Sequence, residues 1–326
     1  MSLIQDLTPI NLKEEKQKFF EKDCNYDPQF KYKTLVTLDK LHRYGKPKPE
    51  YITLAQKILN KAFENKTIDD LRNLQGPKIT AEQGKVMIKK FLKENKMDDE
   101  IKVVWIKGHI SKISIYKNRL KIRKEFDFRQ RQFQASIYHE LGTHALRRIN
   151  YLQQPFFNKK NKHNFRKYLF TEEGLGSLHS LLASKLQLSY FNALHYLATD
   201  MAQQKSFVET FNFINQYMQN IEKSWLITVK IKRGTYDTSQ PGGFTKSVVY
   251  LEGMVKVWRY LKKSNFDVEG LYLGKIDVND IPLARELNPG FKPKLPNFYT
   301  DNPDKYQEKI TEIAQVNYFE SLKESS

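Results

Sequence analysis

The chain has 326 residues, 40% of them hydrophobic with 21 Phe and 18 Tyr, which suffices for a substantial core and excludes a disordered chain. Its 55 Lys and Arg against 37 Asp and Glu leave a formal charge of +18, suited to nucleic acid, an anionic membrane or an acidic protein surface without choosing among them. No apolar run approaches the roughly 18–20 residues that span a bilayer, the N-terminus has no secretory pattern, and the single Cys24 excludes an internal disulfide, so a cytoplasmic address is expected.

Residues 1–25 read as a polar, poorly anchored lead-in. Helical periodicity over 35–65 breaks at Gly45-Lys46-Pro47. A further helix starts where Thr80-Ala81-Glu82-Gln83 forms a capping box and runs to about Asn95. The period then changes: 101–106, 112–116 and 119–124 read as short strands, the last two joined through Lys117-Asn118. Helical patterns return over 131–149, 173–202, 206–222, 244–263 and 303–323. The lysines are scattered through helices such as 85–96, and neither a zinc-finger spacing nor an RNA-recognition signature points to a specific nucleic acid.

Within 131–149 lies Tyr138-His139-Glu140-Leu141-Gly142-Thr143-His144-Ala145. Two histidines bracket a glutamate as in the HExxH metallopeptidase motif, with one residue more between them. On a regular helix, positions five apart lie about 140° apart around the axis, against about 40° for positions four apart. Both rings can meet one ion only if a one-residue π-bulge intervenes, and Gly142 would tolerate it. Neutral imidazoles suit Zn²⁺, whose catalytic sites usually take three protein ligands and leave a position for water. Glu140 is placed to take the proton from that water and return it to a leaving amine. A bland alternative is two ordinary helix histidines hydrogen-bonded in a core.

For a third ligand, Thr171-Glu172-Glu173-Gly174-Leu175-Gly176-Ser177 is the best candidate. Thr171 reads as an N-cap, with leucines 175, 178, 182 and 186 on the buried face of the helix that follows. Either glutamate could ligate, and either could simply face the positive end of the helix dipole. His179 and His195, on apolar helices, read as core or ligand-orienting histidines, and His42, His109 and His163 as surface. Asp237 and Thr238 read as turn-formers. In the 244–263 pattern, Val249, Leu251, Met254 and Trp258 form a core face beside Tyr250.

HELGTH with LR and Asn150, then TEEGL with Ser177, then KRG-x-x-DT-x-x-PG-x-FTK-x-x-VYLEG over 232–253 resemble, in order, the signatures of the microtubule-associated tyrosine carboxypeptidase family, which shares its HExxxH fold with bacterial QEGLA-motif proteins. Similarity runs from about Tyr26 through SF at 206–207 and PNFYTD at 296–301 to the C-terminus. The resemblance implies a predominantly helical α+β fold, zincin-like, with a small sheet before the active-site helix whose edge strand can align substrate. It implies a zinc carboxypeptidase that removes a C-terminal tyrosine from an acidic tail, α-tubulin foremost, in the cytoplasm and associated with the cytoskeleton. It makes His139, His144 and Glu173 the ligands, with Glu172 as fallback, and Glu140 the base. In the most family-like segment, Arg233 and Lys246 are candidates for the substrate carboxylate and Tyr250 for the developing oxyanion. The chain departs from the pattern at Gly176, where alanine is usual, at Ser247, where an aspartate follows FTK, and at Gly243, where a larger residue often sits. It also lacks the long N-terminal extension of the animal members. The division expected is a lead-in over 1–25, a helical subdomain over 26–97 and a catalytic domain over 98–326. Two rival readings remain: a regulatory protein with a structural zinc, and a peptidase of this fold acting on a different C-terminus.

Overall fold

Over residues 3–107 and 111–323, the span that this computed structural model describes, the fold is predominantly helical with two small sheets, the α+β class expected. His109 lies outside the described residues. Two compact units share the chain, and each crosses the sequence more than once.

The first unit combines Met1–Ile68, Ser189–Leu251 and Ser321–Ser326. The expected break at 45–47 is present, because the helix Pro49–Phe63 starts on a proline that needs no N–H partner in a first turn. That helix packs along Tyr190–Gln204. Ser206 and Glu209 cap Phe207–Met218 reciprocally. The next helix, Ile221–Lys232, is missing from the sequence expectations: Trp225, Ile227, Val229 and Ile231 alternate along the chain as in a strand, and all four are buried. Asn220 starts it by accepting from the Lys223 N–H. The lead-in is also better anchored than its polar composition suggests. Phe19 on Leu12–Glu21 is fully buried, with ring centroids 5.4 Å from Phe207, 4.9 Å from Phe211 and 4.9 Å from Trp225. One large aromatic on a charged helix supplies the burial that average polarity conceals. Cys24 is half-buried against this cluster.

The second unit combines Asp69–Leu188 and Glu252–Glu320. Thr80 and Gln83 form the expected capping box on Ala81–Glu94. The three strands form one sheet: Arg119–Arg123 is central, Lys102–Ile106 runs parallel to it, and Ile113–Tyr116 pairs antiparallel at the edge. Lys117 takes a left-handed conformation in the hairpin turn. Behind the sheet, Phe126, Phe128 and Phe133 meet edge to face or tilted, and Trp105 joins through Phe126. The expected helical stretch over 173–202 is divided, ending at Leu182 and resuming at Tyr190. Its first part starts at Leu169, so Thr171 is not the cap. Its buried hydroxyl instead donates to Asp277 and accepts from the Val278 N–H. Leu186 lies beyond that helix, and only Leu175 and Leu178 of the predicted stripe are fully buried.

Candidate metal centre

The motif helix Gln130–His139 passes directly into a π-helical segment, Glu140–Ala145, before α-helix resumes at Leu146–Leu152. This is the bulge that the five-residue histidine spacing requires. The widened turn brings the His139 and His144 rings to 4.6 Å between centroids at 83°. Gly142 contributes differently than expected: it needs no unusual backbone angle, but a Cβ there would lie 2.5 Å from the Phe298 ring.

A π-turn breaks the regular ladder, so its polar groups need other partners. Tyr272 donates its hydroxyl to the Gly142 carbonyl at 2.6 Å. The Thr143 hydroxyl donates to the Tyr138 carbonyl at 3.1 Å and lies 2.7 Å from His179 Nδ1, while His179 Nε2 lies 2.9 Å from the Tyr306 hydroxyl. One tautomer satisfies all three bonds: Tyr306 donates to Nε2, and Nδ1–H donates to Thr143. Burial depresses the His179 ring to about 3, so it is neutral as this requires. His179 therefore supports the π-turn and does not reach Glu173.

Glu173, on Leu169–Leu182, completes the cluster. Its Oε2 lies 3.5 Å from His139 Nε2 and 3.6 Å from His144 Nε2, and one ligand atom from each of the three residues falls within 4.8 Å of the others. Bonds of about 2.0–2.1 Å would separate tetrahedral ligand atoms by about 3.3–3.4 Å, so the two histidine–carboxylate spacings fit one zinc-sized ion. The remaining ring nitrogens are occupied in the manner that fit demands. His139 Nδ1 lies 3.3 Å from the Ser180 hydroxyl and His144 Nδ1 lies 2.9 Å from Glu172, leaving both Nε2 atoms to converge.

Glu172, one position before Glu173, meets His144 on its other ring nitrogen. Buried at 3% exposure, it accepts from Arg147 at 2.6 Å and from Lys275. Burial alone would raise its pKa, but Lys275 and Arg147 outweigh it and hold Glu172 well below the usual carboxylate range. Burial likewise opposes a charge on His144, yet Glu172 and Glu173 raise that ring to about 10 in the metal-free protein. The wholly buried Arg147 also donates to the Gly274 and Ile276 carbonyls, tying the segment that carries Lys275 to the motif helix. Glu140 points elsewhere: its Oε2 accepts from the Ile115 N–H of the edge strand at 2.7 Å. The glycine of TEEGL has a packing origin as well, since a Cβ on Gly174 would lie 2.1 Å from the carbonyl carbon of Gly253.

With this geometry in view, the relatives can be placed. Residues 36–309 match the family described as microtubule-associated tyrosine carboxypeptidase. The chain belongs to that family. Microtubule-associated tyrosine carboxypeptidase 1 of Rattus norvegicus is 28% identical over 318 residues, covering 95% of this chain and 68% of the relative. The Homo sapiens protein of the same name is also 28% identical over 318 residues, covering 95% of this chain and 67% of its own length. The family's name supports a carboxypeptidase function. Among the described residues no helix is long and apolar enough to cross a membrane.

Two of the family departures have local explanations. A Cβ on Gly176 would lie 2.8 Å from the His139 ring, and one on Gly243 would lie 2.6 Å from the Ile231 carbonyl oxygen. Ser247 closes the short helix Thr245–Ser247, and nothing further explains it. Arg233, Lys246 and Tyr250 all fall in the first unit. There Lys246 Nζ lies 5.9 Å from the Tyr250 ring centroid, and the half-buried Arg233 donates to the Lys230 carbonyl. Val249, Leu251, Met254 and Trp258 are buried and Tyr250 half-buried, as its neighbours' periodicity implied. Asp237 accepts from the Ser239 N–H within a turn, whereas Thr238 donates to the distant Pro28 carbonyl and anchors the segment there. His195 is half-buried in the first unit, held down to about 4 by burial. His42 and His163 are half-buried where surface positions were expected: His42 lies 3.0 Å from Gln203 Oε1 and His163 packs beside Phe165.

Sequence reasoning missed Arg147, Lys275, Ser180 and Tyr272. Only Arg147 carried a signal, as part of the LR that follows the motif.

Proposed function

We propose that the chain is a zinc-dependent carboxypeptidase that removes a C-terminal tyrosine from an acidic protein tail, with α-tubulin the leading substrate. The observation that carries this reading is the convergence of His139 Nε2, His144 Nε2 and Glu173 Oε2 around one point. His139, His144 and Glu173 would hold the metal. When bound, zinc supplies Lewis acidity that polarises a carbonyl and brings the pKa of water to about 7.

The chain's own groups do the rest. Ile115 N–H holds Glu140 Oε2, and Oε1 is the oxygen that takes a proton from the attacking water and passes it to the leaving nitrogen. The Ile113–Tyr116 edge strand aligns the substrate backbone. Glu172 and Ser180 keep both imidazoles in the tautomer that presents Nε2. The catalytic domain is taken to begin near residue 98. The charge of +18 steers the chain toward glutamate-rich tails, which fits a cytoplasmic protein associated with the cytoskeleton.

The direct test is mass spectrometry on peptides ending Glu-Glu-Tyr and on the same peptides amidated. Only the free acids should lose tyrosine, and equal cleavage of both would reject the carboxypeptidase reading. Glu140→Gln should keep close to one zinc per chain while turnover falls by about 10²–10⁴-fold.

A further inference from the structure

The central strand Arg119–Arg123 alternates strictly. Leu120 and Ile122 are buried, whereas Arg119, Lys121 and Arg123 emerge on the opposite face. Strand register places Lys102 on one flank of Arg119 and Tyr116 on the other. Lys117 and Lys121 each hold Nζ 5.8 Å from the Tyr116 ring centroid. Among the described residues none of Lys102, Lys117, Arg119, Lys121 and Arg123 forms an ion pair, and Arg123 Nε is buried without a hydrogen-bond partner. Asp127 is paired with Lys112.

We propose that this sheet face is the docking platform for the acidic stretch of the polypeptide whose C-terminus enters the metal centre, an inference that rests on the function proposed above. The spacing favours an extended polypeptide. Alternate residues of a strand repeat about every 6.8 Å, so Arg119, Lys121 and Arg123 match every second carboxylate of an extended glutamate run. Lys102 widens the positive stripe beside Arg119. The platform is also continuous with the site: the edge strand next to it carries the Ile115 N–H that Glu140 accepts, one strand spacing of about 4.8 Å from the central strand. A single-stranded nucleic acid fits less well, because among the described strand residues Tyr116 is the one aromatic ring on this face and bases need successive stacking platforms.

The test measures binding and not turnover, so it remains readable even if no peptide is hydrolysed. Full-length protein is titrated with a fluorescein-labelled, C-terminally amidated Glu-rich peptide. Replacing Lys102, Arg119 and Lys121 together by Gln should weaken binding about tenfold at low salt and flatten its salt dependence. Replacing Lys89 and Lys93, exposed on the Ala81–Glu94 helix, should cost about twofold or less, as loss of net charge alone predicts. Equal losses in both sets, or no loss in the sheet variant with an unchanged circular dichroism spectrum, would overturn the platform. So would an RNA oligonucleotide that displaces the labelled peptide more effectively than the unlabelled peptide does. Tyrosine release from Glu-Glu-Tyr peptides by the wild type is scored separately, and its absence would reject the enzyme while leaving the docking result standing.

Discussion

Replacing Glu172 by Gln keeps the side chain's shape and removes the charge that balances two cations. Arg147 is completely buried and cannot turn to water, whereas the Lys275 side chain is 19% exposed and can. Breaking a buried ion pair costs about 3–5 kcal/mol, and because Lys275 can relax, the lower end, about 3 kcal/mol, is expected for the metal-free protein. A second effect falls on the metal. An amide N–H₂ turned toward His144 Nδ1 favours the tautomer with the proton on Nε2, the atom needed for coordination. Loss of such an orienting carboxylate typically lowers metal affinity about 10–100-fold. Urea unfolding of the metal-free chain measures the first effect, and zinc competition against a chromophoric chelator measures the second. If zinc affinity stays within about twofold of wild type while stability falls, Glu172 is only a structural counter-ion and the orienting role assigned to it is wrong.

Three further outcomes follow from the geometry. The folded pKa of His144 in the metal-free protein is raised from 6.5 to about 10, so its stabilising contribution is complete below about 6.5 and is lost as pH rises toward 10. Metal-free unfolding free energy should therefore decline across that window, and the zinc-loaded protein, whose imidazole must be neutral throughout, should show a flatter profile. Tyr272→Phe leaves the Gly142 carbonyl without its donor and should cost about 1–3 kcal/mol in urea unfolding, with zinc affinity falling alongside as the π-turn loosens. Gly174→Ala drives a methyl into the Gly253 backbone and should destabilise by about 3 kcal/mol or more, because backbone cannot rotate away as a side chain can; a thermal midpoint equal to wild type would disprove the close approach.

Several elements were legible because their signals are local. The capping box at Thr80 and Gln83 involves groups three residues apart, and the three short strands show their period within a few residues. The helix Ile221–Lys232 was not legible, because its exposed positions include the apolar Ile221 and Leu226 beside Glu222, Lys223 and Lys230, which blurs the polar face that would set its period. The anchoring of Phe19 was hidden for a related reason: its partners Phe207, Phe211 and Trp225 lie about two hundred residues away in sequence.

The metal centre divides along the same line. The sequence alone determined that the helix must be deformed between His139 and His144, since a regular helix turns residues five apart away from each other. It could not choose between Glu172 and Glu173. Adjacent helix positions point about 100° apart, and which of two identical side chains meets the histidines depends on what surrounds each. Only the folded chain brings Arg147 and Lys275, 25 and 103 residues away, onto Glu172 and turns Glu173 toward both rings. Charges buried at contact distance interact far more strongly than the same charges in water, and only the folded chain creates that burial.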